Sequence, residues 1–94
     1  MITLNMIENG YSVGLIKLIE SPNDDGVVCK IGDDWFYFGG LTAEENTVEE
    51  YKRNVPLEDI INEIFEALED FRDDAIYNDE YLYCEYFLRE HGTS

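Results

Sequence analysis

Positive charge is what this sequence lacks. Lys17, Lys30, Lys52, Arg53, Arg72 and Arg89 are its only Lys and Arg residues, against 22 Asp and Glu, for a formal net charge of −16. A direct nucleic-acid binder displaces phosphate counterions with a basic patch, which six scattered cations do not build against this background. An anionic membrane surface is excluded for the same reason. Long apolar runs are missing too, since no stretch approaches the ~18 residues of a membrane span. Residues Met1 to Glu8 lack the basic flank and cleavage site of a signal peptide, so the expected location is the cytoplasm. Cysteine is scarce: Cys29 and Cys84 are too few and too far apart for a zinc signature or a disulfide framework, and both are expected as half-buried thiols. The lone histidine, His91, lies near the carboxyl end of the sequence, where fraying spoils precise geometry, and reads as a helix-terminal cation or a plain surface residue.

What is present is a core. Hydrophobic residues make up 45% and aromatics 14% of the 94 residues, so the acidity overlies a folding chain and does not mark a disordered tail. A chain of this length buries roughly 60–70% of its unfolded surface, enough for one core, and a single domain over residues 1–94 is expected. Composition shifts near residue 40: residues 1–40 hold six acids and two bases, residues 41–94 sixteen acids and four bases.

The first half reads mainly as sheet. Ile2 to Ile7 alternates polar and apolar residues up to Glu8, Asn9 and Gly10, a hairpin-type signal, and Tyr11 to Ile19 resumes with β-forming residues. Ser21 to Gly26 is a loop by its Pro, Asn, Asp and Gly content. Val27 to Ile31 and Trp35 to Phe38 are two further strands about a Gly32–Asp34 turn, with Trp35, Phe36 and Phe38 assigned mainly to the core. The second half reads mainly as helix. Thr42 and Glu45 form a capping-box pattern for a short helix or turn reaching Arg53, with Leu41, Val48 and Tyr51 as its only buried face. Pro56 stands at a first helical turn, after which Leu57, Ile60, Ile61, Ile64, Phe65, Leu68 and Phe71 form one apolar stripe. Asn78 or Asp79 caps a last helix, Glu80 to Glu90, closed by Gly92; Tyr81 to Leu88 would also suit a strand. The expected fold is α+β: a small antiparallel sheet of three or four strands in the N-terminal half, packed with two or three helices in the C-terminal half.

No constellation for catalysis emerges. Placing Gly26 at position six of a calcium loop puts Gly32 where the bidentate Glu belongs, so this segment is an ordinary turn. Asp33 with Asp34, and Asp73 with Asp74, are sequence neighbours whose side chains diverge in regular structure, which opposes a two-carboxylate acid/base site. Gly39 and Gly40 lack the rest of a phosphate loop. The expectation is a non-enzyme without metal or other cofactor.

The carboxylates carry the positive signal. Asp59, Glu63, Glu66, Asp70 and Asp73 recur at four- and three-residue steps, so on a helix they stack along the face opposite the apolar stripe. At ~1.5 Å rise per residue the row is about 21 Å long, with neighbours about 5–6 Å apart. One DNA strand carries a phosphate every ~3.4 Å, a comparable charge density. Glu58, Glu69 and Asp74 widen the row, and Arg72 alone relieves its repulsion. Tyr77, Tyr81, Tyr83 and Tyr86 lie among Asp79, Glu80, Glu85 and Glu90, and tyrosine supplies rigid amphipathic contact area at interfaces, so at least one or two of them are expected to be exposed. The alternative is an acidic face that serves only solubility.

The length, the Asp59/Glu63/Glu66/Asp70/Asp73 row and the acidic-aromatic end from Tyr77 to Glu90 give the chain a resemblance in character to the small acidic DNA-mimic proteins of phages and conjugative elements, of the anti-CRISPR and antirestriction kind. The resemblance implies an inhibitor that occludes the basic groove of a Cas effector, restriction enzyme or other nuclease. The expected contact residues are Asp59, Glu63, Glu66, Asp70, Asp73, Asp74, Tyr77, Asp79, Glu80 and Tyr83. Two other readings compete: an immunity or antitoxin protein capping a basic toxin nuclease, and an acidic protein-interaction accessory domain that packs on an apolar or mixed partner surface or self-associates, for instance through a sheet edge at Ile2 to Ile7.

Overall fold

The computed structural model describes residues 1–22, 26–40 and 47–92. The element order is α1 (Leu4–Ser12), β1 (Ile16–Glu20), β2 (Gly26–Ile31), β3 (Asp34–Gly40), α2 (Val48–Asn54), α3 (Leu57–Asp73) and α4 (Asn78–His91). This is an α+β fold with a three-stranded antiparallel sheet of order β1-β2-β3.

The first element corrects the sequence reading. Ile2 to Ile7 is not a strand: Thr3 caps a helix, its hydroxyl accepting from the Met6 amide at 3.2 Å, and Ile7 is fully buried. Asn9 and Gly10 therefore lie inside α1, not in a hairpin, and the strand expected from Tyr11 begins at Ile16. Gly10 is there for packing. A Cβ at this position would stand 2.8 Å from Leu88 Cδ2 and 3.2 Å from Ile16 Cδ1, so a side chain would push α1 away from α4. The reversal into β1 falls instead at Gly14, whose φ of 87° suits glycine. With Ile2 to Ile7 outside the sheet, the proposed self-pairing edge is absent there.

β2 pairs with β1 through Ile16–Ile31, Lys17–Lys30 and Leu18–Cys29, and with β3 through Cys29–Phe36 and Lys30–Trp35. The turn before β3 is the expected one, with Gly32 at φ 62°. Alternation sends Ile16, Leu18, Cys29, Ile31 and Phe36 into the core, while Trp35 is 60% exposed on the other face, against the expectation that it is core. Both thiols are fully buried, more so than expected. Burial raises the Cys84 thiol to about 12, helped by the charges of Asp34 and Glu80, and raises that of Cys29 as well.

α2 is capped by Thr47, whose hydroxyl accepts from the Glu50 amide at 3.1 Å, and buries Val48 and Tyr51. The Thr42–Glu45 capping box, Leu41 and the turn residues 23–25 lie outside the described residues. Val55 is extended, as a residue before proline prefers, which ends α2 and lets α3 start after Pro56. α3 buries Ile60, Ile61, Ile64 and Leu68 along the expected stripe, but Leu57 at its start is 56% exposed. Phe71 meets Phe36 of the sheet edge-on, with ring centroids 5.0 Å apart. α4 buries Tyr81, Cys84 and Leu88. Neither Asn78 nor Asp79 caps it; Tyr77 holds that position without a side-chain bond, and the Asn78 side-chain Nδ2 donates to the Arg72 backbone carbonyl at 3.0 Å, fastening α4 to the end of α3. Tyr81 joins the chain start to the last helix, its hydroxyl accepting from the buried Ile2 amide at 2.8 Å.

Candidate functional site

The acidic row follows from how α3 is buried. Because Ile60, Ile61, Ile64 and Leu68 join the core where α3 packs on α1 and α4, the positions half a turn away must face solvent. Asp59, Glu63, Glu66, Asp70 and Asp73 are all exposed. Asp73 forms an ion pair with its neighbour Arg72 at 3.2 Å, and Glu63 accepts a hydrogen bond from the Tyr51 hydroxyl at 3.2 Å. Among the described residues Asp59, Glu66 and Asp70 meet no cation. Asp59, in the first turn, is favoured by the helix dipole, whereas Asp73, in the last, opposes it.

The remaining expected residues divide by environment. Asp74 is exposed, and its carboxylate accepts from the Ile76 amide at 2.8 Å, which shapes the connection to α4. Tyr77 is 43% exposed with its ring against Phe71, and Tyr86 is 64% exposed, as expected for a tyrosine-lined acidic surface. Tyr83 is engaged in the fold: its hydroxyl accepts from the Asp33 amide at 3.0 Å and its ring stacks on Phe87. Asp79 is exposed and Glu80 half-buried in the first turn of α4.

Tyr83 also reveals a cluster that the sequence reading missed. By fastening the β2–β3 turn to α4 it brings Asp33 and Asp34 beside Asp79 and Glu80 around one open depression of about 270 Å³. The Glu80 carboxyl is held above the ordinary carboxylate range, first by burial and then by the charge of Asp34. The turn at Gly32 to Asp34 was legible in the sequence; its seat on a helix some 45 residues later was not. Residues 74–77 are all that separates α3 from α4, so the end of the row and this cluster lie at the same end of the helix pair. Among the described residues no group of three or more His, Cys, Asp or Glu side chains could hold a metal ion, and no helix is long and apolar enough to cross a membrane.

The arrangement offers fixed negative charge on a rigid support, with tyrosine rings beside it. It can pair with several cations at once, and its field draws a basic surface toward it. No protein-family model, curated protein or solved structure matches this chain.

Proposed function

We propose that this chain is a non-enzymatic inhibitor that lays its carboxylate face in the basic nucleic-acid-binding groove of a nuclease, as the anti-CRISPR and antirestriction proteins it resembles do. One observation carries the reading: five exposed carboxylates run along α3 with Arg72 as the only cation among them. Like charges at these steps destabilise a helix, so a face serving solubility alone would gain by interspersed lysines. The helix holds the row in line, and its charges, about 5–6 Å apart, approach the ~3.4 Å spacing of phosphates along a DNA strand. Occlusion needs no chemistry from the inhibitor. Arginines and lysines that would hold phosphates pair with Asp59, Glu63, Glu66, Asp70 and Asp73, and Asp74, Tyr77, Asp79 and Glu80 extend the contact past the end of α3.

A second reading, a protein of immunity type capping a toxin nuclease, draws on the compact Asp33, Asp34, Asp79 and Glu80 cluster, since a cap concentrates its affinity in a few residues. The test is a tagged pull-down from nuclease-treated bacterial lysate, washed at low and at high salt. Recovery of a Cas effector, a restriction enzyme or another DNA-binding protein, released by salt or competing DNA, supports the groove reading. Recovery of proteins without nucleic-acid-binding function alone, or of none, overturns it. Loss of binding by graded steps as row carboxylates become amides fits the mimic, and loss on one change in the cluster fits the cap.

A further inference from the structure

The outer face of the sheet is the opposite of the rest of the molecule. Its two cross-strand rows are Lys17–Lys30–Trp35 and Ile19–Val28–Tyr37, with Val28 itself buried between its neighbours, and neither holds an acid, in a chain with 22 of them. Trp35 is 60% exposed, Tyr37 56% and Ile19 42%. Lys17 and Lys30 stand directly opposite one another, both exposed, and among the described residues no carboxylate pairs with either. Like charges directly across a ladder destabilise it, so the pair is retained at a cost in the free protein. Beside them lies a cleft of about 180 Å³ lined by Gly14, Leu15, Lys17, Lys30, Gly32 and Phe87.

We propose that this face is a second docking surface, and that its occupant is an acidic, apolar peptide segment of a partner protein. A carboxylate of the segment sits between Lys17 and Lys30 and removes their repulsion. Flanking apolar side chains cover Trp35, Tyr37 and Ile19. A segment with a few carboxylates fits where a nucleic-acid strand does not, because a polyanion running past two lysines meets the repulsion of a −16 protein. The face lies on the side of the sheet away from the core that packs α3, and so is separate from the acidic row.

The chain's single tryptophan reports on it directly. Purified protein is titrated with a synthetic peptide of alternating Glu and Leu while Trp35 emission is followed. Two probes serve as controls: the Gln-Leu counterpart and single-stranded oligothymidylate. The Glu-Leu peptide should shift and saturate the Trp35 signal, with affinity falling about tenfold or more in a Lys17→Gln/Lys30→Gln variant. The signal should fade with salt, and neither control should reproduce it. A Tyr37→Ala variant, checked for folding by circular dichroism, should weaken the same binding. An unchanged Trp35 signal, equal response to the Gln-Leu peptide, or preferential binding of oligothymidylate would each overturn the proposal. The lysine substitutions leave α3 untouched, so the outcome is independent of the groove reading.

Discussion

Removing charge from the α3 row should stabilise the folded chain. In a variant carrying Asp59→Asn, Glu63→Gln, Glu66→Gln and Asp70→Asn, each neighbouring like-charge pair of the row loses at least one charge: 59 with 63, 63 with 66, 66 with 70, and 70 with 73. At ~0.2–0.5 kcal/mol each, their relief is worth roughly 1–2 kcal/mol. Asp59 in the first turn also complements the helix dipole, and its loss returns ~0.3–1 kcal/mol. The Tyr51 hydroxyl keeps an acceptor in the side-chain carbonyl of Gln at position 63. The net expectation is about 0.5–1.5 kcal/mol of added stability at low ionic strength, or roughly 3–8 °C in Tm for a domain of this size. Thermal melts by circular dichroism at about 20 mM and about 1 M salt check it, because at the higher salt the screening length falls to ~3 Å and the gain should vanish. A variant that melts lower than wild type at low salt, or gains the same amount at both, refutes the view that the row is held against its own repulsion.

Other perturbations read the remaining parts of the structure. Tyr81→Phe leaves the buried Ile2 amide without its acceptor and should cost about 1–3 kcal/mol in urea denaturation. Glu80 has a raised folded-state pKa, so the native state binds its proton more tightly than the unfolded chain does. The resulting stability is present below the ordinary glutamate value of about 4.3 and is lost as pH rises through the folded pKa. Glu80→Gln should therefore be more stable than wild type at neutral pH, with the difference closing in acid; a constant difference across pH would contradict the assigned burial and Asp34 repulsion. Cys29 and Cys84, buried and with raised pKa values, should resist a thiol reagent at about pH 8 until denaturant is added.

The elements that were legible in the sequence are those whose pattern repeats. α3 runs for 17 residues, long enough for its apolar stripe and acidic row to define both faces. α1 is short, and over Ile2 to Ile7 a two-residue alternation and a helical spacing look alike; Asn9 and Gly10 then suggest a turn, because glycine chosen for contact with Leu88 and Ile16 is indistinguishable in sequence from glycine chosen for φ. Trp35 lies on the exposed face of β3, which its sequence does not tell, because aromatic content signals a strand without saying which of its faces is covered. For the candidate site, the exposed row could be read from periodicity alone. The Asp33, Asp34, Asp79 and Glu80 cluster depends on the Tyr83–Asp33 hydrogen bond between distant segments, which no local pattern encodes.

The most direct test of the groove account uses the nuclease recovered by pull-down, loaded with labelled duplex DNA and titrated with wild-type protein or the four-amide variant over a range of salt. The account predicts competitive release of DNA by wild type, with affinity falling steeply as salt rises, and a much weaker, less salt-dependent effect from the variant. Inhibition with DNA still bound, or undiminished displacement by the four-amide variant, would contradict it.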